Sequence, residues 1–225
     1  MSESGPAAKP MLSEKVFLAL RKAVLHGEFR PGNALKPQEL AQRHQVSLAV
    51  MREALLRAVG EGLAERLPNR GFAVPECTDE RWAQIAEARR TIEPQMLRLA
   101  VERGDLEWEA GVRAAHHRLS RTPLQAPGGG RYFSDAWSEA HHRFHRALLE
   151  GCGNEVLLAT FDRMWTMSEL ARRWSVHKTP GRDFATEHRR IEEAALARDA
   201  EAAAALLTRH LTLTAEGLRA VDEEV

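Results

Sequence analysis

Residues 35–74, LKPQELAQRHQVSLAVMREALLRAVGEGLAERLPNRGFAV, decide the fold. Pro37 opens a short helix, at a position where its missing N–H has no intrahelical partner to lose. That helix is expected to reach about His44. Val46-Ser47 follows, and Ser47 is a strong N-cap for a helix from Leu48 to about Gly60. Val50, Met51, Ala54, Leu55 and Ala58 form that helix's buried stripe, so Arg52 and Arg57 point outward. Leu63, Glu65 and Leu67 alternate, as do Phe72 and Val74, and Pro68-Asn69-Arg70-Gly71 between them is turn chemistry. Helix, tight turn, helix and a ribbon with a basic tip make a winged helix-turn-helix. Such a module sets the N-terminal end of its second helix in a DNA major groove. The side chains placed to read bases are Ser47, Leu48, Ala49 and Arg52, with Gln38 on the preceding helix. Arg70 and Gly71 form the wing tip, where the arginine reaches a phosphate or a minor groove.

Working outward, a helix is expected from about Ser13 to His26, with Val16, Phe17, Leu20, Ala23 and Val24 on one face. Ser13 is its expected cap and Gly27 its end, and Arg30-Pro31-Gly32 forces a turn. Residues 1–10 are small and polar and read as a disordered tail. The winged module thus spans 11–76, closed by Pro75.

From Thr78 onward no strand pattern appears. Helical segments are expected near 79–103, 105–121, 132–151, 154–176, 183–197 and 199–222, with a Gly/Pro-rich loop at 123–130. Asn154 and Asp199 are the expected caps of the fourth and sixth. Residues 77–225 therefore read as an all-α bundle of about six helices, and the whole chain as mostly α. Charge divides the same way. Residues 12–76 hold 10 Lys+Arg against 7 Asp+Glu, and residues 77–225 hold 21 against 24, so a mildly basic head precedes a mildly acidic body. No run of about 18 apolar residues exists to span a membrane. The opening MSESGPAAKP has no apolar segment of the signal-peptide kind. Cys77 and Cys152 are expected to be free thiols in a reducing cytoplasm.

Eight of the ten histidines lie in the body. His141 and His145 stand at i and i+4 on one helix face, and His188 and His210 fall on the last two helices. Facing helices of a bundle build metal sites in this manner, and neutral imidazoles suit Zn²⁺ or Ni²⁺. Spacing alone leaves open a solvated face or a satisfied core pair. His116, His117, His142 and His177 read as solvent or packing groups.

The order L-x-x-x-E-L-A, V-S, M-R-E-A-L, G-L and N-R-G-F-x-V resembles the GntR family of bacterial transcription regulators. The likeness carries Ser47, Arg52 and the Arg70-Gly71 tip over as DNA contacts. It departs at Leu48, Ala49 and Val50, where an Arg-Thr-Pro run is usual, and at Gln38, where an arginine is usual. The segments E-A-R-R-T-I-E-P, F-H-R-A-L-L-E-G-C-G-N and E-H-R-R-I-E-E-A-A-L-A-R-D-A-E-A-A-A-A-L-L-x-x-H resemble the FCD ligand-binding domain of the FadR-type branch. That resemblance implies a metal held by His141, His145, His188 and His210, with His141 where an acidic or amide ligand is usual. It further implies a small carboxylate effector, with Arg89 as a pocket arginine and Arg172 and Arg173 as further candidates. A-x-H-x-L-S-R-x-P, W-x-x-x-H-x-x-F-H-x-A-L-x-x-x-C-G and R-D-x-x-x-E-H resemble the glutarate-responsive, carbon-starvation-induced repressors of the branch, which points to a dicarboxylate.

The resulting expectation is a cytoplasmic homodimeric repressor on a palindromic operator, its two reading helices about 34 Å apart. It is not expected to be an enzyme. The rival is a metal-dependent hydrolase, since several imidazoles on one ion can activate water.

Overall fold

The computed structural model describes residues 11–68, 71–125, 133–174 and 182–219, without the side chains of Arg173, Trp174, Leu218 and Arg219. The expected disordered tail, the wing-tip pair Asn69-Arg70, most of the 123–130 loop and His177 lie outside the described residues. The chain divides into two compact units between Glu76 and Cys77.

The first unit holds α1 (Leu12–Leu25), β1 (Ala34–Leu35), α2 (Pro37–Arg43), α3 (Leu48–Gly60), β2 (Glu65–Leu67) and β3 (Gly71–Ala73). Its core is where α1 packs on α3 and α2 on α3. Phe17, Leu20, Met51 and Leu55 are all buried there. Fully burying side chains of this size stabilises by about 1.5–3 kcal/mol each. The Ser47 side chain accepts from the Val50 N–H at 3.3 Å, which caps α3 as the sequence implies. Val50 itself is only half-buried. Ser13 does not cap α1: the helix begins one residue earlier, after Met11, and the Ser13 hydroxyl donates instead to Glu53 at 2.9 Å. Gly27 ends that helix at φ 78°, and the N–H of Glu28 returns to the carbonyl of Ala23.

The ribbon has a third strand that sequence reading missed. The order is β1-β3-β2, antiparallel throughout, with Leu35 opposite Phe72 and Arg66 opposite Phe72 on the other side. Leu35 is buried by this pairing, which ties the entrance of α2 to the wing.

The second unit contains, among the described residues, α4 (Asp79–Arg103), α5 (Leu106–Arg121), α6 (Asp135–Glu150), α7 (Glu155–Trp174), α8 (Phe184–Leu196) and α9 (Ala200–Arg219). Each of the six starts on a polar cap that accepts from the first turn: Thr78, Asp105, Ser134, Asn154, Asp183 and Asp199. The helix α4 packs on α6, α7 and α9, α5 on α6 and α8, and α8 on α9. One continuous core of Met96, Leu97, Val112, Phe144, Leu148, Phe161 and Trp165 results. Trp108 slots between Gly104 and Gly151, where neither glycine has room for a side chain. No helix among the described residues is long and apolar enough to cross a membrane.

Candidate functional site

In the first unit, α3 buries Met51, Ala54, Leu55 and Ala58 and so presents its other face to solvent. Ser47, Leu48, Ala49 and Arg52 are all exposed at its start, as is Gln38 on α2. Arg52 has no hydrogen bond or ion pair to another described residue. Arg57, on the same helix, is engaged: it pairs with Glu61 at 3.2 Å and lies over the Phe17 ring at 4.4 Å. Gly71, with φ 87°, adopts a backbone that side-chained residues rarely take and so lets the ribbon reverse. Arg70 lies outside the described residues. The exposed start of α3 thus carries one hydroxyl, two apolar side chains and a guanidinium without a partner among the described residues, with Gln38 exposed on the preceding helix.

In the second unit the four histidines singled out from the sequence come together. His141 and His145 project from α6, His188 from α8 and His210 from α9, and one ring nitrogen of each lies within 4.8 Å of the others. All four are buried, between 1% and 4% exposed. Nε2 of His188 stands 3.1 Å from Nε2 of His141 and 3.4 Å from Nε2 of His145. Two imidazoles sharing a tetrahedral Zn²⁺ at 2.0–2.1 Å place their nitrogens about 3.3–3.4 Å apart. The two His188 spacings lie near that value and the four donor atoms all lie within 4.8 Å of one another, so small ring movements would close the set on a divalent ion.

Electrostatics point the same way. Burial holds His141, His145 and His188 well below the usual histidine range, and the neighbouring imidazoles add to the effect. Burial also lowers His210, to about 4, although its bond to Glu187 works against the shift. At neutral pH all four rings are uncharged and each keeps a lone pair, the state a metal needs. Nδ1 of His141 is buried with no partner among the described residues. An unpaired buried nitrogen is costly to the fold.

Aromatic and cationic side chains enclose the cluster. Trp137 stacks on His141 at 4.4 Å, and Trp165 lies 4.9 Å from His141 and 5.1 Å from His145. Arg89 on α4 and Arg172 on α7 lie over the Trp165 ring, at 5.1 and 4.4 Å. The resemblance offers Arg89 as a pocket arginine and Arg172 as a further candidate. The structure instead pairs each within its own helix: Arg89 with Glu93, at 2.5 and 3.1 Å, and Arg172 with Glu169 at 2.6 Å. They supply positive potential toward the imidazoles rather than unengaged donors. The side chain of Arg173 is not among those described.

Sequence reasoning missed Arg182. It precedes α8, and its side chain is 8% exposed and bound to Glu187, Thr214 and the carbonyl of His210. It also lines a cavity of about 290 Å³ beside the cluster, whose walls include His188, Trp137, Phe184, His116 and Ser120. His116 is not a solvent group: it pairs with Glu192 and packs at 5.3 Å on Phe144. His142 pairs with Asp162 at 3.1 Å, and His117 is exposed.

An exposed reading helix on a winged head, joined in one chain to a helical bundle, defines a DNA-binding regulatory protein. The model of the bacterial gntR regulatory family matches residues 12–74, and that of the FCD domain matches residues 84–213. The chain belongs to the GntR family, in its FCD-carrying, FadR-type branch. It is 32% identical over 201 residues to the HTH-type transcriptional regulator BphR of Paraburkholderia xenovorans, covering 89% of this chain and 82% of that one. It is 30% identical over 197 residues to the HTH-type transcriptional repressor GlaR of Escherichia coli, covering 85% and 89%. Among solved structures, Escherichia coli McbR/YncC shares the fold with a TM-score of 0.74 at 21% identity, over 94% of this chain and 98% of that chain. A putative GntR regulator from Rhodococcus sp. RHA1 matches at a TM-score of 0.71 and 25% identity, over 92% and 98%. These relatives are transcription regulators, not the hydrolases that the histidine cluster alone left open.

Proposed function

We propose that this chain is a homodimeric repressor whose hold on a palindromic operator is controlled by a small carboxylate or dicarboxylate. In this reading His141, His145, His188 and His210 hold a divalent cation, Zn²⁺ or Ni²⁺. The observation that carries it is the convergence of four buried, uncharged imidazoles from three helices. A bound ion supplies a positive centre that attracts an anionic oxygen ligand. The chain's own residues do the rest. The cavity of about 290 Å³ bounded by His188, Trp137 and Phe184 has room for a small molecule. Arg89 and Arg172 add positive potential behind the rings, which favours an anion over a neutral analogue.

DNA is read from the first unit. Ser47, Leu48, Ala49, Arg52 and Gln38 face the base edges, and the Arg70-Gly71 tip tracks the backbone. Leu48 and Ala49 offer only apolar contact, which suits thymine methyl groups, so Arg52 carries most of the hydrogen-bonded readout. The effector must bind the DNA-competent and incompetent arrangements unequally, and release on binding is the repressor form of that preference.

The test uses the full chain and DNA from upstream of its own gene. Fluorescence anisotropy should show sequence-specific binding that glutarate, or a shorter or longer dicarboxylate, weakens. Elemental analysis should show a stoichiometric divalent metal that the double variant His145→Ala, His188→Ala loses together with the effector response. A double variant that keeps its metal refutes the ligand set. An operator affinity that no carboxylate and no chelator moves refutes the control mechanism.

A further inference from the structure

His210 is held at its outer nitrogen by a carboxylate. Its Nδ1 lies 2.7 Å from Oε2 of Glu187, the residue that precedes His188 on α8. Glu187 is gripped in turn by Arg182 through two parallel bonds, Nε to Oε1 at 2.8 Å and Nη2 to Oε2 at 2.7 Å. Arg182 also donates to the carbonyl oxygen of His210 at 3.0 Å and to Oγ1 of Thr214 at 3.0 Å. One guanidinium therefore joins the segment entering α8 to two successive turns of α9.

The chemistry fixes a tautomer. A carboxylate paired to an arginine through both oxygens only accepts hydrogen bonds. Nδ1 of His210 lies 2.7 Å from that carboxylate and 3.3 Å from Nη2 of Arg182, which can only donate. The shorter contact, to an oxygen that only accepts, places the proton on Nδ1 and leaves the lone pair on Nε2. His141 is the contrast, because its Nδ1 is buried without a partner among the described residues. No described residue bonds to that nitrogen, and the one contact of the ring's Nε2, to His188 at 3.1 Å, is with another imidazole whose role is equally open. Of these two rings, the orientation and protonation of His210 are set by the fold before any ion arrives.

We propose that Arg182 and Glu187 are positioning residues, which lock His210 with Nε2 toward the cluster and make it the anchoring ligand of the ion. The proposal rests on the reading of the four histidines as a metal site. It adds a role for two residues outside that set and joins the ion site to the cavity, since Arg182 forms part of the cavity wall. Carboxylates that accept from the outer nitrogen of a histidine ligand commonly raise metal affinity by 10- to 100-fold.

The experiment strips the full chain with a chelator. It is then titrated with Zn²⁺ by competition calorimetry and with Co²⁺ by ligand-field absorption, with far-UV circular dichroism to report folding. Glu187→Ala should lower Zn²⁺ affinity by about 10- to 100-fold and change the Co²⁺ spectrum. Glu187→Gln keeps an oxygen that accepts from Nδ1, so it should retain the Co²⁺ spectrum and recover most of the affinity. Arg182→Ala should lower affinity in the same direction with helicity intact. Wild-type affinity and spectrum in Glu187→Ala overturn the proposal and leave the metal site standing. So does a Glu187→Gln variant as weak as Glu187→Ala, which would assign the effect to charge rather than orientation. If Glu187→Ala does not fold, Arg182→Ala decides, and unchanged binding there overturns the proposal. A wild-type chain that takes up neither ion overturns the four-histidine reading itself, and the positioning role with it.

Discussion

Lowering the pH from 8 to 5 should destabilise the metal-free second unit, and the four buried imidazoles set the sign. Their folded-state pKa values lie below that of the unfolded chain because burial disfavours the charged form. Between the folded and unfolded values the unfolded chain binds more protons, so stability rises with pH and is lost as pH falls through about 6.5. His210 gives a magnitude. Folded at about 4 and unfolded at 6.5, its ring is almost fully protonated at pH 5 in the unfolded chain and only about one-tenth protonated in the fold. That difference costs about 2 kcal/mol. The other three rings act in the same direction. Glu187 does not confuse the window. Burial alone would raise it, but bonds from Arg182 and His210 outweigh that and hold its carboxyl at about 2, so its contribution is present above 4.5 and lost only as pH falls toward 2.

The assay is favoured by composition. The five tryptophans, Trp82, Trp108, Trp137, Trp165 and Trp174, all lie in residues 77–225. Tryptophan fluorescence therefore follows the second unit alone, even in the intact chain. With a urea dependence of about 1–3 kcal/mol per molar, 2 kcal/mol moves the midpoint down by roughly 0.7–2 M between pH 8 and pH 5. His210→Gln should flatten the slope. A midpoint that stays constant or rises on acidification would refute the burial argument, because rings that remain neutral only by desolvation must resist protonation at a cost to the fold.

Two further outcomes test the head and the packing. Arg52→Ala should weaken operator binding by about 1–3 kcal/mol and relax preference at one base position, measured by anisotropy across single-base variants of the operator. An unchanged affinity would move readout to other residues. Gly104→Ala and Gly111→Ala should shift thermal stability in opposite directions. A Cβ at Gly104 would sit 2.3 Å from the Trp108 ring and 2.7 Å from the Ala100 carbonyl, an overpacking worth about 1–3 kcal/mol, whereas one at Gly111, inside α5, meets nothing within 4 Å. There, alanine removes unfolded-chain freedom and should stabilise by roughly 0.4–1 kcal/mol. Two melting temperatures shifted the same way would contradict this reading of the two sites.

Much of the fold could be read from the sequence because its signals are local. Ser47, Asn154 and Asp199 are N-caps, and a cap acts within one turn. The strand β1 escaped because two residues, Ala34 and Leu35, are too few to show alternation; their pairing is set by Phe72 and Ala73, far along the chain. Ser13 was misassigned for the opposite reason. Several residues near a helix start have capping chemistry, and the choice among them falls to tertiary contacts, here the Ser13–Glu53 bond.

The candidate site divides along the same line. Its histidines were visible in part from spacing, since two share a helix face and two fall on the last two helices. That spacing also suits a solvated face or a core pair, and the ligand set came from the resemblance to the FCD domain. What supports them was not visible, with one exception. Arg89 and Glu93 stand at i and i+4, a spacing that allows the ion pair the structure forms. Arg182 stands with Glu187 in the run R-D-x-x-x-E-H, but nothing in its spacing assigns it a role beside the histidines. It lies just before a helix cap, in a polar stretch, where an arginine is ordinarily solvated. Its burial depends on Thr214 and His210, residues 32 and 28 positions away. The i, i+4 pair of a ligand set is thus legible in one dimension. The groups that fix its tautomers are not, because a hydrogen bond to the outer nitrogen of an imidazole needs only one well-placed oxygen, and any element that passes nearby can supply it.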